Sequence, residues 1–333
     1  MLFPYFPPLL RSLLIASTFP VGLSTLALAQ SQPSWQEWVQ QNPTYRQSPV
    51  APVTPPSNDK SPSFNIPRPS TDNSAVQVQS LSVLGARLYV ARVDLTNPQV
   101  LLTIGLPRGA NRANSSRISY GQESFSGFVS RLQAAVVING TFFGLDRELP
   151  VMGNMVGGGQ FLKYVPWEDY GTTLGISSGK RLEMVTTRLE GRPNWSNQWF
   201  SITAGPRLLR GGRIWLNPRG EGFTDRKVMG VARRAAIGYD ASGEFIFLVA
   251  FLTPISLNQE AAIMQALGCS EAMNLDGGSS LGLAYRGQTL VRPGRGLTNV
   301  IAVYDAQSPA SNRLNNAWRR FNRGERQFVP KIF

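Results

Sequence analysis

Between residues 75 and 304 the chain is broken into short apolar runs with glycine recurring at or near their ends. VQVQSLSVL, RLYVARVDL and QVLLTIGL open the series, GNMVGGGQFLKYV, TLGISS, RLEMVTTRLEG and ITAGPRLLRGGRIW continue it, and AAIGYD, GEFIFLVAFL and NVIAVYD lie toward its end. Runs of this length suit strands and are too short for most helices, and glycine between them suits tight turns. LGLAYRGQTLV reads as a hairpin over Arg286-Gly287. Two segments read as helices. SFSGFVSRLQAA spans 124–135, and SLNQEAAIMQALG carries a capping box at Ser256 and Gln259 with Gly268 as its stop. The expectation is an α+β fold: one strand-rich domain over 75–306 with a mixed β-sheet and few helices. A 42% hydrophobic composition is compatible with a substantial core for it.

The flanks differ. MLFPYFPPLLRSLLIASTFPVGLSTLALAQ has one early charge, Arg11, then an apolar stretch ending in Ala27-Leu28-Ala29. That is the pattern of a cleaved secretory signal, expected at 1–29, with no stable membrane span once it is removed; the alternative reading is an uncleaved anchor. Residues 30–74 are rich in Pro, Ser and Gln and poor in aliphatics, so a disordered linker is expected there. Residues 307–333 are arginine-rich and read as a basic polar tail or a peripheral helix. Cys269 is the single cysteine, so an exported chain of this kind rests on its core without an internal disulfide. The expected location is bacterial-type export, to the periplasm or the medium.

The chain contains 33 Lys and Arg against 20 Asp and Glu, which favours anionic partners. It contains no histidine. Ser-His-Asp and Cys-His catalysis and every histidine-based metal site are therefore excluded. The match of residues 278–282 to G-x-S-x-G, and of Ser177 to Lys180 to S-x-x-K, then lack the partners their chemistry needs. Aspartate, asparagine and backbone carbonyls are calcium ligands, but no D-x-D-x-D-G loop is present, and no metal or other cofactor is predicted. Nucleic acid is not an expected partner, because no interleaved basic and aromatic motif occurs.

What remains is a set of stretches that join glycine to polar groups at strand ends. NGTFFG holds Asn139 and Thr141, AGPRLL holds Arg207, ARRAAIG holds Arg233 and Arg234, and NLDGGSS holds Asn274, Asp276, Gly277, Gly278, Ser279 and Ser280. Adjacent glycines let backbone approach a ligand, and arginine forks suit phosphate. By itself Asp276 reads either as a reactive carboxylate or as a cap on the glycine turn.

The ordered series VVINGTFF, AGPRLLRGGR, RRAAIGYD, a helix and AMNLDGGSS resembles the phosphodiester glycosidase family, over roughly residues 76–304. The resemblance implies an exported hydrolase that cleaves a sugar-1-phosphodiester at the anomeric C–O bond. Its implied catalytic residues are Asp276, Asn139 and Arg234, with Arg234 holding phosphate. Thr141, Arg207, Asn274, Gly277, Gly278, Ser279 and Ser280 are expected to bind substrate. The implied partner is a glycosyl phosphodiester or an anionic glycopolymer. A phosphate leaving group departs without strong protonation, so one member of the usual carboxylate pair is less needed. Glu271, Asp240 and Asp146 are candidates for a second carboxylate. The competing readings are a phosphodiesterase that cuts P–O and a non-catalytic module that binds anionic envelope polysaccharide. AFLTPIS stands where many members of the family carry a valine-aspartate-glycine-arginine-like stretch, and this difference bears on sugar specificity.

Overall fold

The computed structural model describes residues 74–330, so the expected signal peptide and nearly all of the expected linker lie outside the described residues. The strands, in chain order, begin with β1 (Val76–Val83), β2 (Ala86–Asp94), β3 (Leu101–Gly105), β4 (Val136–Asn139), β5 (Met155–Gly157) and β6 (Gln160–Lys163). There follow β7 (Thr172–Ser177), β8 (Leu182–Thr186), β9 (Gln198–Ala204), β10 (Arg207–Arg210), β11 (Arg213–Ile214) and β12 (Ala235–Tyr239). The last are β13 (Phe245–Phe251), β14 (Glu271–Leu275), β15 (Leu283–Tyr285), β16 (Gln288–Val291) and β17 (Val300–Tyr304). The α-helices are α1 (Phe125–Leu132), α2 (Thr187–Glu190), α3 (Arg226–Met229), α4 (Leu257–Ala266) and α5 (Asn312–Asn322).

These strands form a seven-stranded sheet ordered β1-β2-β13-β12-β14-β10-β11 and two five-stranded sheets, β16-β15-β4-β17-β3 and β6-β5-β9-β7-β8. The strand-rich α+β class with few helices is the one expected, and the mixed sheet resolves into three sheets whose strand pairs are all antiparallel. Short hairpins account for part of this. The β15–β16 turn falls at Arg286-Gly287 as expected, with both residues at positive φ (45° and 81°), the geometry that matches the twist of paired strands.

Strand sequences with little polar alternation have a direct cause where the central strands of the first two sheets are covered on both faces. In β4, Val136 and Ile138 enter a core shared by all three sheets, while Val137 faces α1 with Phe125, Phe128 and Val129. In β13, Ile246, Leu248 and Ala250 join the shared core, and Phe247, Val249 and Phe251 pack toward α4. Period two is present, but both positions are apolar. Burying one such Leu, Ile or Phe side chain contributes about 1.5–3 kcal/mol.

The α4 helix starts as its sequence predicts. Ser256 accepts from the Gln259 amide while Gln259 accepts from the Ser256 amide, and Gly268 lies just beyond the end. Cys269 is a buried free thiol. Residues 307–333 are more than a tail. Within them α5 seats Phe321, 4% exposed, and Trp318 against Trp199, at ring separations of 5.7 and 5.0 Å. The apolar Leu314, Trp318 and Phe321 recur at helical spacing among arginines, so the segment has one burying face despite its charge.

Candidate active site

The chain leaves the seven-stranded sheet at Leu275 and enters the second sheet at Leu283, so residues 276–282 are a crossing between two sheets. That explains why the segment lacks bulk. A Cβ on Gly277 would lie 2.5 Å from the Arg233 carbonyl oxygen, and Gly278 sits at φ +57°. Both positions therefore require glycine, one for close approach and one for backbone conformation.

Asn139 fastens this crossing. At the end of β4 its Nδ2 donates to the Asp276 carbonyl oxygen (2.6 Å) and its Oδ1 accepts from the Gly282 amide (3.1 Å). Asn299 does the same for the loop after β4, with Oδ1 accepting from the Thr141 amide (2.8 Å) and Nδ2 donating to the Thr141 carbonyl (3.1 Å). On the other side, Asn274 Nδ2 donates to the Gly205 carbonyl (2.9 Å). Asn139, Asn274 and Asn299 are each no more than 2% exposed, and they hold loops from separate strands in one place.

Asp276 stands on the wall of the cavity so formed, which has a volume of about 490 Å³. Its Oδ1 accepts from the Gly277 amide (2.9 Å), and its Oδ2 accepts from Arg295 Nη2 (3.0 Å). Arg295 Nε donates to Ser280 Oγ (2.7 Å), and its guanidinium lies 4.1 Å from the Phe143 ring centroid. Burial pushes the Asp276 carboxyl above the usual aspartate range, while hydrogen bonding to Ser280, the charge of Arg295 and the Gly277 amide act the other way. Arg233, Lys227 and Arg295 bring positive charge to the cavity wall, and Asp225 is its other carboxylate.

The structure thus gathers most of the expected residues but gives several of them different work. Asp276, Arg234, Asn274, Gly277, Gly278 and Ser279 line the cavity together. Arg234 is nevertheless committed to the protein. It is 3% exposed, with Nε donating to the Ile255 carbonyl (3.0 Å), Nη1 to Asn274 Oδ1 (3.2 Å) and Nη2 to the Val228 (2.9 Å) and Gly230 carbonyls. Four of its five N–H groups are in use, so it is a poor phosphate holder. Behind it, Glu260 is fully buried, lies 3.7 Å from Arg234 Nε and has no hydrogen bond to either carboxylate oxygen. Burial raises its pKa to about 8.

Asn139 spends its amide on backbone, whereas Thr141 is itself held through its backbone by Asn299, and its buried Oγ1 has no hydrogen-bond partner among the described residues. The Gly277 and Gly278 amides are also taken, by Asp276 itself and by the Arg233 carbonyl (2.7 Å). Ser280 is fully buried and engages Arg295. Arg207 lies outside the cavity, where its guanidinium meets Glu190 (2.5 Å) and Glu271 (2.6 Å). That ion-pair cluster removes Glu271 from the list of second carboxylates. Asp240 caps the β12–β13 turn by accepting from the Glu244 and Phe245 amides (3.1 and 3.0 Å). Asp146 borders a neighbouring cavity. Among the described residues no cluster of three or more acidic or cysteine side chains could hold a metal ion.

Arg295 is the residue that sequence reasoning missed. Its stretch, RPGRGL, carries the same arginine-glycine signature as the others and follows the hairpin whose return strand leads back to the site. Asn299 had no comparable signal.

The fold has solved counterparts. A hypothetical protein from Synechocystis is 20% identical with a TM-score of 0.52, over 69% of this chain and 62% of that one. The chain therefore spans less than two thirds of that protein's length. The catalytic domain of zebrafish N-acetylglucosamine-1-phosphodiester alpha-N-acetylglucosaminidase, auto-inhibited by its pro-peptide, is 16% identical with a TM-score of 0.52, over 70% of this chain and 83% of that one. No curated protein matches the sequence. The sequence model of the phosphodiester glycosidases matches residues 132–304, from the last residue of α1 through β17 and so across Asn139, Asp276 and Arg295, and the chain belongs to that family.

Proposed function

We propose that the protein is an exported hydrolase that cleaves a sugar-1-phosphodiester at the anomeric C–O bond, with Asp276 as its catalytic carboxylate. The observation that carries this reading is the pairing of Asp276 with Arg295 on the wall of an open cavity that also presents Arg233 and Lys227. In such a substrate the leaving group is a phosphate monoester, whose charge needs cations more than it needs a proton. Arg295 uses two of its five N–H groups on Ser280 and Asp276, which leaves three for phosphate oxygens. Arg295 and Arg233 therefore take the phosphate role first expected of Arg234. The anionic Asp276 offsets the positive charge that develops at the anomeric carbon, and a largely desolvated site strengthens that interaction. Water adds to the anomeric carbon, releasing free sugar and a phosphate monoester.

Hydrolysis in oxygen-18 water tests the bond assignment. Label is expected in the released sugar; label in the phosphate would mean P–O cleavage and overturn the reading. Binding of a sugar-1-phosphodiester with no turnover by the wild-type protein would instead point to the non-catalytic reading. Export belongs to the same proposal and rests on residues 1–29, outside the described part. Among the described residues no helix is long and apolar enough to cross a membrane.

A further inference from the structure

The cavity beside Asp276 adjoins another of about 620 Å³, with which it shares Phe142, Phe143, Asp225 and Val228. Three large apolar side chains line these cavities and yet lie mostly in solvent: Leu145 is 73% exposed, Val231 69% and Trp167 61%. A side chain with both properties stands at a cavity mouth. Among the described residues the only large hydrophobic more exposed is Phe328, two residues from their end. The exposure is built into the backbone. The loop carrying Leu145 is closed by the Gly144 amide donating to the Pro150 carbonyl (2.8 Å) and the Leu149 amide donating to the Asp146 carbonyl (3.0 Å). On either side of Val231, Arg234 holds the Val228 carbonyl (2.9 Å) and Ala232 pairs with Ile255. Trp167 lies between Val165, whose amide donates to Asn154 Oδ1 (2.6 Å), and Glu168, whose Oε1 accepts from Lys163 (2.6 Å). Backbone held on both sides of each residue keeps its side chain at the surface. Cations share the same rim. Arg117, Arg147, Arg226 and Lys227 are exposed along these walls and loops, where they outnumber the exposed carboxylates, Asp146 and Asp225.

We infer that the face bearing both cavity mouths docks on an anionic lipid bilayer, with Leu145, Trp167 and Val231 entering the acyl boundary and the surrounding cations meeting headgroup phosphates. Apolar anchors set among basic residues suit such an interface, and an indole settles at headgroup level. An anionic polysaccharide would meet the cations but offers Leu145 and Val231 no apolar medium. A well-packed protein interface has a continuous apolar centre, whereas these anchors are kept apart by cavity openings and charge. A fluid bilayer adapts to scattered points. The inference concerns the surface at which the protein works, and it holds whether or not Asp276 is the catalytic carboxylate.

Vesicles of phosphatidylglycerol mixed with phosphatidylcholine, brominated in the acyl chains near the headgroups, test this with the full chain. The emission of Trp167, taken as the difference between the wild type and Trp167→Phe, should fall about twofold on these vesicles and hardly change on brominated phosphatidylcholine alone. Leu145→Ser with Val231→Ser, and separately Arg117→Gln with Arg147→Gln, all at exposed positions, should each require about tenfold more lipid for the same quenching. Trp167 emission that ignores the brominated lipid overturns the inference, whatever else holds the chain to the vesicle. Quenching that phosphatidylcholine matches, or that neither pair of substitutions weakens, overturns it as well. Retention on an anionic polysaccharide without such quenching would give this face to the polymer. Self-association that Leu145→Ser with Val231→Ser abolishes, again without quenching, would give it to a second copy of the chain.

Discussion

Two arginine–carboxylate clusters in this protein look alike in sequence and differ in what they leave unused. Arg207 is 3% exposed and donates to Glu190, Glu271, Thr186 and the Leu209 carbonyl, so four of its five N–H groups are engaged. Among the described residues Arg295 donates only to Ser280 and Asp276, and a cavity lies beside the pair. The Arg207 cluster ties β10 to α2 and β14 and leaves its guanidinium nearly saturated. The Arg295 cluster has spare donors, a desolvated carboxylate and room before it. Residual hydrogen-bonding capacity, more than the presence of charge, separates a site from a brace.

Substitutions can break that contrast. The largest effect is expected at Asp276→Asn. Turnover of a sugar-1-phosphodiester should fall about ten-thousandfold, ~5 kcal/mol in barrier, while thermal unfolding hardly moves. Undiminished kcat would remove the assigned role. Arg207→Met should do the reverse, costing about 3 kcal/mol of stability by stranding Glu190 and Glu271, with kcat of the folded fraction retained. Denaturant titration beside initial rates would show both halves.

Arg295→Met should lower kcat/KM by about a hundredfold, ~2.7 kcal/mol. It should also move the acid limb of the pH–rate profile to higher pH. Arg295 opposes the upward shift of the Asp276 pKa, so its loss lets burial raise that pKa further. An unmoved limb would show that the profile reports some other group.

The smallest effect concerns Glu260, behind Arg234. Its carboxyl titrates at about 8 in the folded chain against 4.5 for an unperturbed glutamate. The folded state therefore binds its proton more tightly, and stability should be greatest below pH ~4.5 and fall as pH rises toward ~8. Glu221, raised to about 7 by burial, adds to the same trend. Glu260→Gln should flatten part of this slope in melting measurements from pH 5 to 8. An unchanged slope would mean that Glu260 is already charged in the folded protein across that range.

Much of the fold was readable from local signals. The capping box at Ser256 and Gln259, the Arg286-Gly287 hairpin and the apolar runs all act within a few residues, so their geometry follows from neighbours in the chain. NLDGGSS was readable for a related reason: only glycine tolerates the contact at Gly277 and the φ of Gly278. The allocation of roles was not readable. Arg207, Arg233, Arg234 and Arg295 all sit in short glycine-containing stretches, and nothing near them in sequence distinguishes a saturated guanidinium from an available one.

By itself the sequence determined a strand-rich α+β domain without histidine chemistry, a glycine-flanked Asp276 at a strand end, and membership of its family. Tertiary structure alone decided that Arg295, nineteen residues beyond Asp276 with two strands between, is the arginine that meets it. Turns and caps depend on dihedral preferences fixed by each residue and its neighbours. Which donors remain unused depends on partners brought in from distant strands, and that is settled only when the sheets pack.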